Sequence, residues 1–121
     1  MAKVLVAEDN KYLRRAYIAK LPKEGFEIEI VEDGKAVMEK VKSFKPDLII
    51  LDIIMPQRNG LDILKELKET PVLNKIPVII TSSLDKSEDV KKGLEIGADD
   101  YLVKTEVSMD DIVAKIRGLL K

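Results

Sequence analysis

Five short apolar runs recur along the chain, and each is followed by a stretch whose apolar residues return every three or four positions. This rhythm limits the possible folds more than any other feature of the sequence. The runs are KVLVA (3–7), EIEIV (27–31), DLIIL (47–51), IPVIIT (76–81) and DYLVK (100–104). Leu13, Ala16, Tyr17 and Leu21 predict a first helix closed by Gly25, and Asp33 reads as the N-cap of a second carrying Ala36, Val37, Val41 and Phe44. Leu61, Leu64 and Leu67 mark a third, after Pro56 and Gly60. TPVLNK (70–75) reads as a loop, and SSLDKSED (82–89) as a polar loop capping a fourth helix with Val90, Leu94 and Ile96, ended by Gly97. Met109, Ile112, Val113, Ile116, Leu119 and Leu120 stripe a fifth. Five β-α pairs predict an α/β fold, a doubly wound parallel sheet with helices on both faces. Strands buried on both faces read as unbroken apolar runs, as the first, third and fourth do; the more polar second is expected at an edge.

A chain of 121 residues suits one domain, residues 1–121, with no output domain expected beside it. Apolar residues make up 45%, enough for a folded core. Lys and Arg (21) nearly balance Asp and Glu (22), and no basic cluster is interleaved with aromatics, so direct nucleic-acid binding is disfavoured. The absence of Cys and His removes disulfides, thiolate metal sites and the usual general base. Chemistry must come from carboxylates, hydroxyls and amines. No signal peptide and no apolar run near the ~18 residues of a membrane span point to a cytoplasmic protein away from the membrane.

The polar residues fall at the ends of the apolar runs: Glu8 and Asp9 after the first, Asp52 after the third, Thr81 and Ser82 at the fourth, Lys104 at the fifth. In a parallel sheet these ends share one edge, where open α/β sheets bind ligands. Taken singly, an acid pair is more often a helix cap, a lysine solvated and Tyr101 plain packing; their convergence on one edge changes the reading. Carboxylates about 5 Å apart repel by roughly 3 kcal/mol per pair at an effective dielectric of about 20. Lys104 offsets part of this, and a hard divalent cation, Mg2+ or Mn2+, would offset more. A carboxylate nucleophile, a cation site, a hydroxyl and an ammonium together suit phosphoryl transfer.

Four segments in order, VLVAEDN, PDLIILDIIMPQRNGLDIL, IPVIITSS and GADDYLVK, closely resemble the receiver domain of bacterial two-component response regulators along essentially the whole chain. The resemblance implies a flavodoxin-like, CheY-like (βα)5 fold with strand order 2-1-3-4-5. It implies Asp52 as phosphoacceptor from a sensor histidine kinase or phosphotransfer protein, and Mg2+ held by Asp9, Glu8, Asp52 and the Ile54 backbone carbonyl. It further implies Thr81 and Lys104 as phosphoryl ligands, and Tyr101 as an aromatic that turns inward when Thr81 shifts. Output would pass to a downstream effector protein, with the chain a monomer or a phosphorylation-dependent dimer, and not an enzyme beyond its own phosphorylation and autodephosphorylation.

Two departures stand out. Thr105 follows Lys104 where the family usually has proline; a cis peptide kept there would cost about 3 kcal/mol, and otherwise the loop must differ. Glu8 replaces a frequent aspartate. Ile54 and Ser83, two residues beyond Asp52 and Thr81, carry no carboxamide or carboxylate, which implies a phosphoryl group that is not short-lived. A receiver-like module that no longer takes phosphate is disfavoured by the intact Asp9, Asp52, Thr81 and Lys104. A dehalogenase-type phosphohydrolase would need an acid where Ile54 stands.

Overall fold

In the computed structural model, which describes residues 1–84 and 87–121, the apolar runs become β1 (Lys3–Ala7), β2 (Glu27–Val31), β3 (Leu48–Asp52), β4 (Val78–Ser82) and β5 (Asp100–Val103). The helical stretches become α1 (Lys11–Lys20), α2 (Val37–Phe44), α3 (Gly60–Glu69), α4 (Ser87–Ile96) and α5 (Met109–Leu119). All strand pairs are parallel, in the order β2-β1-β3-β4-β5. This is the flavodoxin-like arrangement, with β2 at one edge as its alternating sequence predicts.

Because side chains alternate across a strand, each apolar run serves two cores. Leu5, Ile49, Leu51 and Ile80 pack with Val41 of α2 and with Ile63, Leu64 and Leu67 of α3. Val4, Val6, Leu48, Ile50, Ile79 and Leu102 face the other way, against Tyr17 of α1 and Ile112, Val113 and Ile116 of α5. The sheet is thus covered on both faces. Among the described residues no helix is long and apolar enough to cross a membrane.

Boundaries shift where local chemistry overrides periodicity. The first helix stops at Lys20, and Pro22–Glu24 form a 3-10 turn closed by Gly25 at φ 93°, because proline has no N–H to continue the helical ladder. Asp33 caps a 3-10 turn, Gly34–Ala36, that leads into α2. The expected loop at 70–75 contains a further 3-10 turn, Leu73–Lys75. β4 begins at Val78, not Ile76, where the Asp99 carboxylate accepts from the Val78 N–H at 2.8 Å. Of the expected polar loop 82–89, Ser82 belongs to β4 and Ser87–Asp89 to α4, while Asp85 and Lys86 lie outside the described residues. The Lys104–Thr105 peptide is trans, and the chain turns there with the Glu106 N–H donating to the Val103 carbonyl at 2.9 Å. α5 then starts with a capping box between Ser108 and Asp111.

Candidate functional site

The pleat that builds the α1/α5 core also aims the polar strand ends. Val6, Ile50, Ile79 and Leu102 point to that core, so the residues two positions further on point the same way. Those residues are Glu8, Asp52, Thr81 and Lys104. Asp52 and Thr81 are direct neighbours across β3 and β4. Asp9 stands at the turn into α1 and is exposed.

Lys104 ties the row together. Its Nζ donates to Asp52 Oδ2 at 2.8 Å and to Glu8 Oε2 at 2.9 Å. Asp52 Oδ1 accepts from the Ile54 N–H at 3.1 Å. Asp52 ends β3 and is only 2% exposed, and Glu8 only 1%. Burial is the main reason the Asp52 carboxyl is pushed up to about 7, with Lys104 pulling it down and Glu8 adding to the rise. Burial also works against the Lys104 charge, but the hydrogen bonds to Asp52 and Glu8 outweigh it and hold the ammonium above its ordinary range.

A pocket of about 300 Å3 opens over these groups, lined by Asp9, Asn10, Asp52, Ile54, Ser83 and Lys104. One carboxylate oxygen each from Glu8, Asp9 and Asp52 lie within 4.8 Å of one another. Glu8 Oε1 is buried with no hydrogen-bond partner. Hard oxygens at this spacing fit a small divalent cation, and Glu8 retains one acceptor without a partner.

Thr81 and Tyr101 lie on opposite sides of the sheet. Thr81 is 2% exposed, and its Oγ1 has no hydrogen-bond partner. Together with Lys104 it lines a second cavity, of about 160 Å3, between α1 and α5. Tyr101 belongs to the opposite core, beside Ile80. Its ring is 8% exposed, and its hydroxyl donates to the Leu84 carbonyl at 2.9 Å.

Three supporting residues escaped the sequence reading. Asn10, not Glu8 or Asp9, caps α1, accepting from the Tyr12 and Leu13 N–H groups at 2.9 and 3.1 Å. Arg14 Nη1 donates to the Glu8 and Asp9 carbonyls at 3.2 and 2.6 Å, and its Nη2 pairs with Glu32 at 3.4 Å, fixing the acidic turn. Tyr17, read as one residue of an apolar stripe, is 2% exposed and lines the same cavity as Thr81. Burial first, then the field of Glu8, push its phenol well above its usual range, so it stays protonated. An arginine four residues into a helix gives no signal of its own, and a tyrosine on a helical stripe is indistinguishable from core.

Residues 4–117 match the response regulator receiver domain family. The chain is 36% identical over 121 residues to the response regulator ArlR of Staphylococcus saprophyticus, of which it covers 53%. It thus spans about half the length of that curated relative. Among solved structures it superposes on the receiver domain of the Francisella response regulator 1452 with a TM-score of 0.92 at 33% identity, covering 99% of this chain and 97% of that one. The Mn2+-bound form of response regulator Rcp1 gives a TM-score of 0.83 at 27% identity, covering 98% and 91%.

Proposed function

The chain belongs to the response regulator receiver domain family of two-component signal transduction, and from that premise we propose that Asp52 accepts a phosphoryl group from a phosphohistidine of a sensor histidine kinase or phosphotransfer protein. The observation that carries this reading is the bridge from Lys104 to both Asp52 and Glu8 beside a third carboxylate, Asp9. An Asp52 carboxylate oxygen forms the new P–O bond as the P–N bond breaks, and the electron pair leaves with the imidazole. Glu8, Asp9, Asp52 and the Ile54 carbonyl are the residues that would hold Mg2+, with Mn2+ an alternative. When bound, the cation neutralises charge on the transferring phosphoryl oxygens.

Lys104 releases Glu8 and turns to a phosphoryl oxygen, and Thr81 donates its hydroxyl to another. The added charge of about −2 redistributes these contacts and shifts a balance between two forms that differ by a few kcal/mol. Tyr101 carries the change outward through its hydrogen bond to Leu84 in the β4–α4 connection. The domain acts as a cytoplasmic switch read by a downstream effector protein, as a monomer or a phosphorylation-dependent dimer, and turns over no external substrate. Ile54 and Ser83 line the pocket without a carboxamide or carboxylate, so the phosphoryl group persists well beyond seconds.

The test is binding of beryllofluoride, a phosphoryl mimic, in the presence of Mg2+. Wild type is expected to bind it and to incorporate label from a small phosphodonor, while Asp52→Ala does neither. Failure of wild type to bind, or labelling unchanged by Asp52→Ala, contradicts the reading.

A further inference from the structure

Within the α1/α5 core, α1 presents Tyr17 among apolar residues that include Val6, Ile50, Ile79 and Ile112. An alkyl side chain would fill this place with no polar atom to satisfy; a phenol oxygen there needs a partner. Tyr17 and Thr81 both line the 160 Å3 cavity that Lys104 also borders, so each has room to adjust. Thr81 Oγ1 is buried and lacks a hydrogen bond. A threonine hydroxyl has one proton to give and two lone pairs to fill. Once that proton goes to a phosphoryl oxygen, the lone pairs are left for a neighbouring donor, and a protonated phenol is one.

We propose that Tyr17 is a positioning residue for Thr81: its hydroxyl donates to Thr81 Oγ1 and commits the single Thr81 proton to the phosphoryl group on Asp52. This rests on Asp52 being the phosphoacceptor. Hydrogen bonds in series polarise one another, so the Tyr17–Thr81–phosphoryl chain binds the phosphorylated form more strongly than Thr81 alone. It makes α1 a direct sensor of the phosphoryl group, on the face opposite Tyr101. The rival acceptor for the phenol is Glu8 Oε1, which is also buried and unpartnered.

A double-mutant cycle separates the two. Affinity for beryllofluoride at saturating Mg2+ is measured for wild type, Tyr17→Phe, Thr81→Val and the pair. Tyr17→Phe keeps the ring and removes only the oxygen. It is expected to weaken binding about fivefold when Thr81 is present and to change it by less than about half again when Thr81 is Val. A slowly exchanging Thr81 hydroxyl proton in the beryllofluoride complex of wild type should be lost in Tyr17→Phe. An equal loss of affinity in both backgrounds would assign the phenol to Glu8 or to packing and overturn the proposal, as would no loss in either. If wild type itself does not bind beryllofluoride, the phosphoacceptor reading fails and takes this one with it. If wild type binds and the cycle is additive, only the role of Tyr17 falls.

Discussion

A carboxyl group at 2% exposure, set between buried Leu51 and Ile53, gives up its proton reluctantly even with a lysine 2.8 Å away. Asp52 therefore titrates at about 7 in the folded protein against 3.8 for an unperturbed aspartate. Between those values the folded state holds a proton that the unfolded chain has released, so stability falls as pH rises from about 4 to 7. Below that window both states are protonated and the loss is absent; above it the loss is complete. Asp52→Asn removes the titration. In chelator, urea midpoints compared at pH 5 and pH 8 should drop more for wild type than for Asp52→Asn. Curves that run parallel would mean the Lys104 pairing already compensates the burial of Asp52.

Elements meet closely where α3 begins. Asn59 caps that helix by accepting from the Leu61 N–H at 2.7 Å, and the Gly60 N–H donates to the Ile53 carbonyl at 2.7 Å. A Cβ on Gly60 would strike the Asp52 carbonyl oxygen and come within 2.7 Å of Ile53 Cα. The obstacle is backbone, which cannot swing aside as a side chain can. Gly60→Ala is expected to lower stability by about 3 kcal/mol and to weaken Mg2+ binding by displacing Asp52. Urea denaturation and a Mg2+ titration measure both; a stability change under about 0.5 kcal/mol would show that the turn relaxes freely. In the sequence, Pro56 and Gly60 were legible as the break before a helix. What Gly60 makes room for was not, because the atom it avoids lies across a turn. The same limit applies to the ends of β4 and α1, where a capping carboxylate and a proline moved the boundaries by a few residues.

Across the whole molecule, Lys104 joins the ends of β1, β3 and β5 through partners 96 and 52 residues away in sequence. It is in effect an internal cation, and it competes with any divalent ion for Glu8 and Asp52. Lys104→Met should cost about 3 kcal/mol of stability in chelator, since two buried carboxylates then lack their counter-charge. It should also tighten Mg2+ binding roughly tenfold, for the same electrostatic reason. Chemical denaturation with and without Mg2+ reads both effects; weaker Mg2+ binding in the variant would mean that Lys104 organises the pocket more than it repels the ion. By itself the sequence determined the number and succession of the strands and α-helices, because two-residue and 3.6-residue periodicities are local. It also placed Glu8, Asp52, Thr81 and Lys104 at strand ends, because each closes an apolar run. Tertiary structure alone decided how deep Asp52 lies, that Lys104 reaches Glu8, that Thr81 and Tyr101 take opposite faces, and that Tyr17 and Thr81 line one cavity. Those facts depend on register and packing between segments far apart in the chain, and no pattern within one segment carries them.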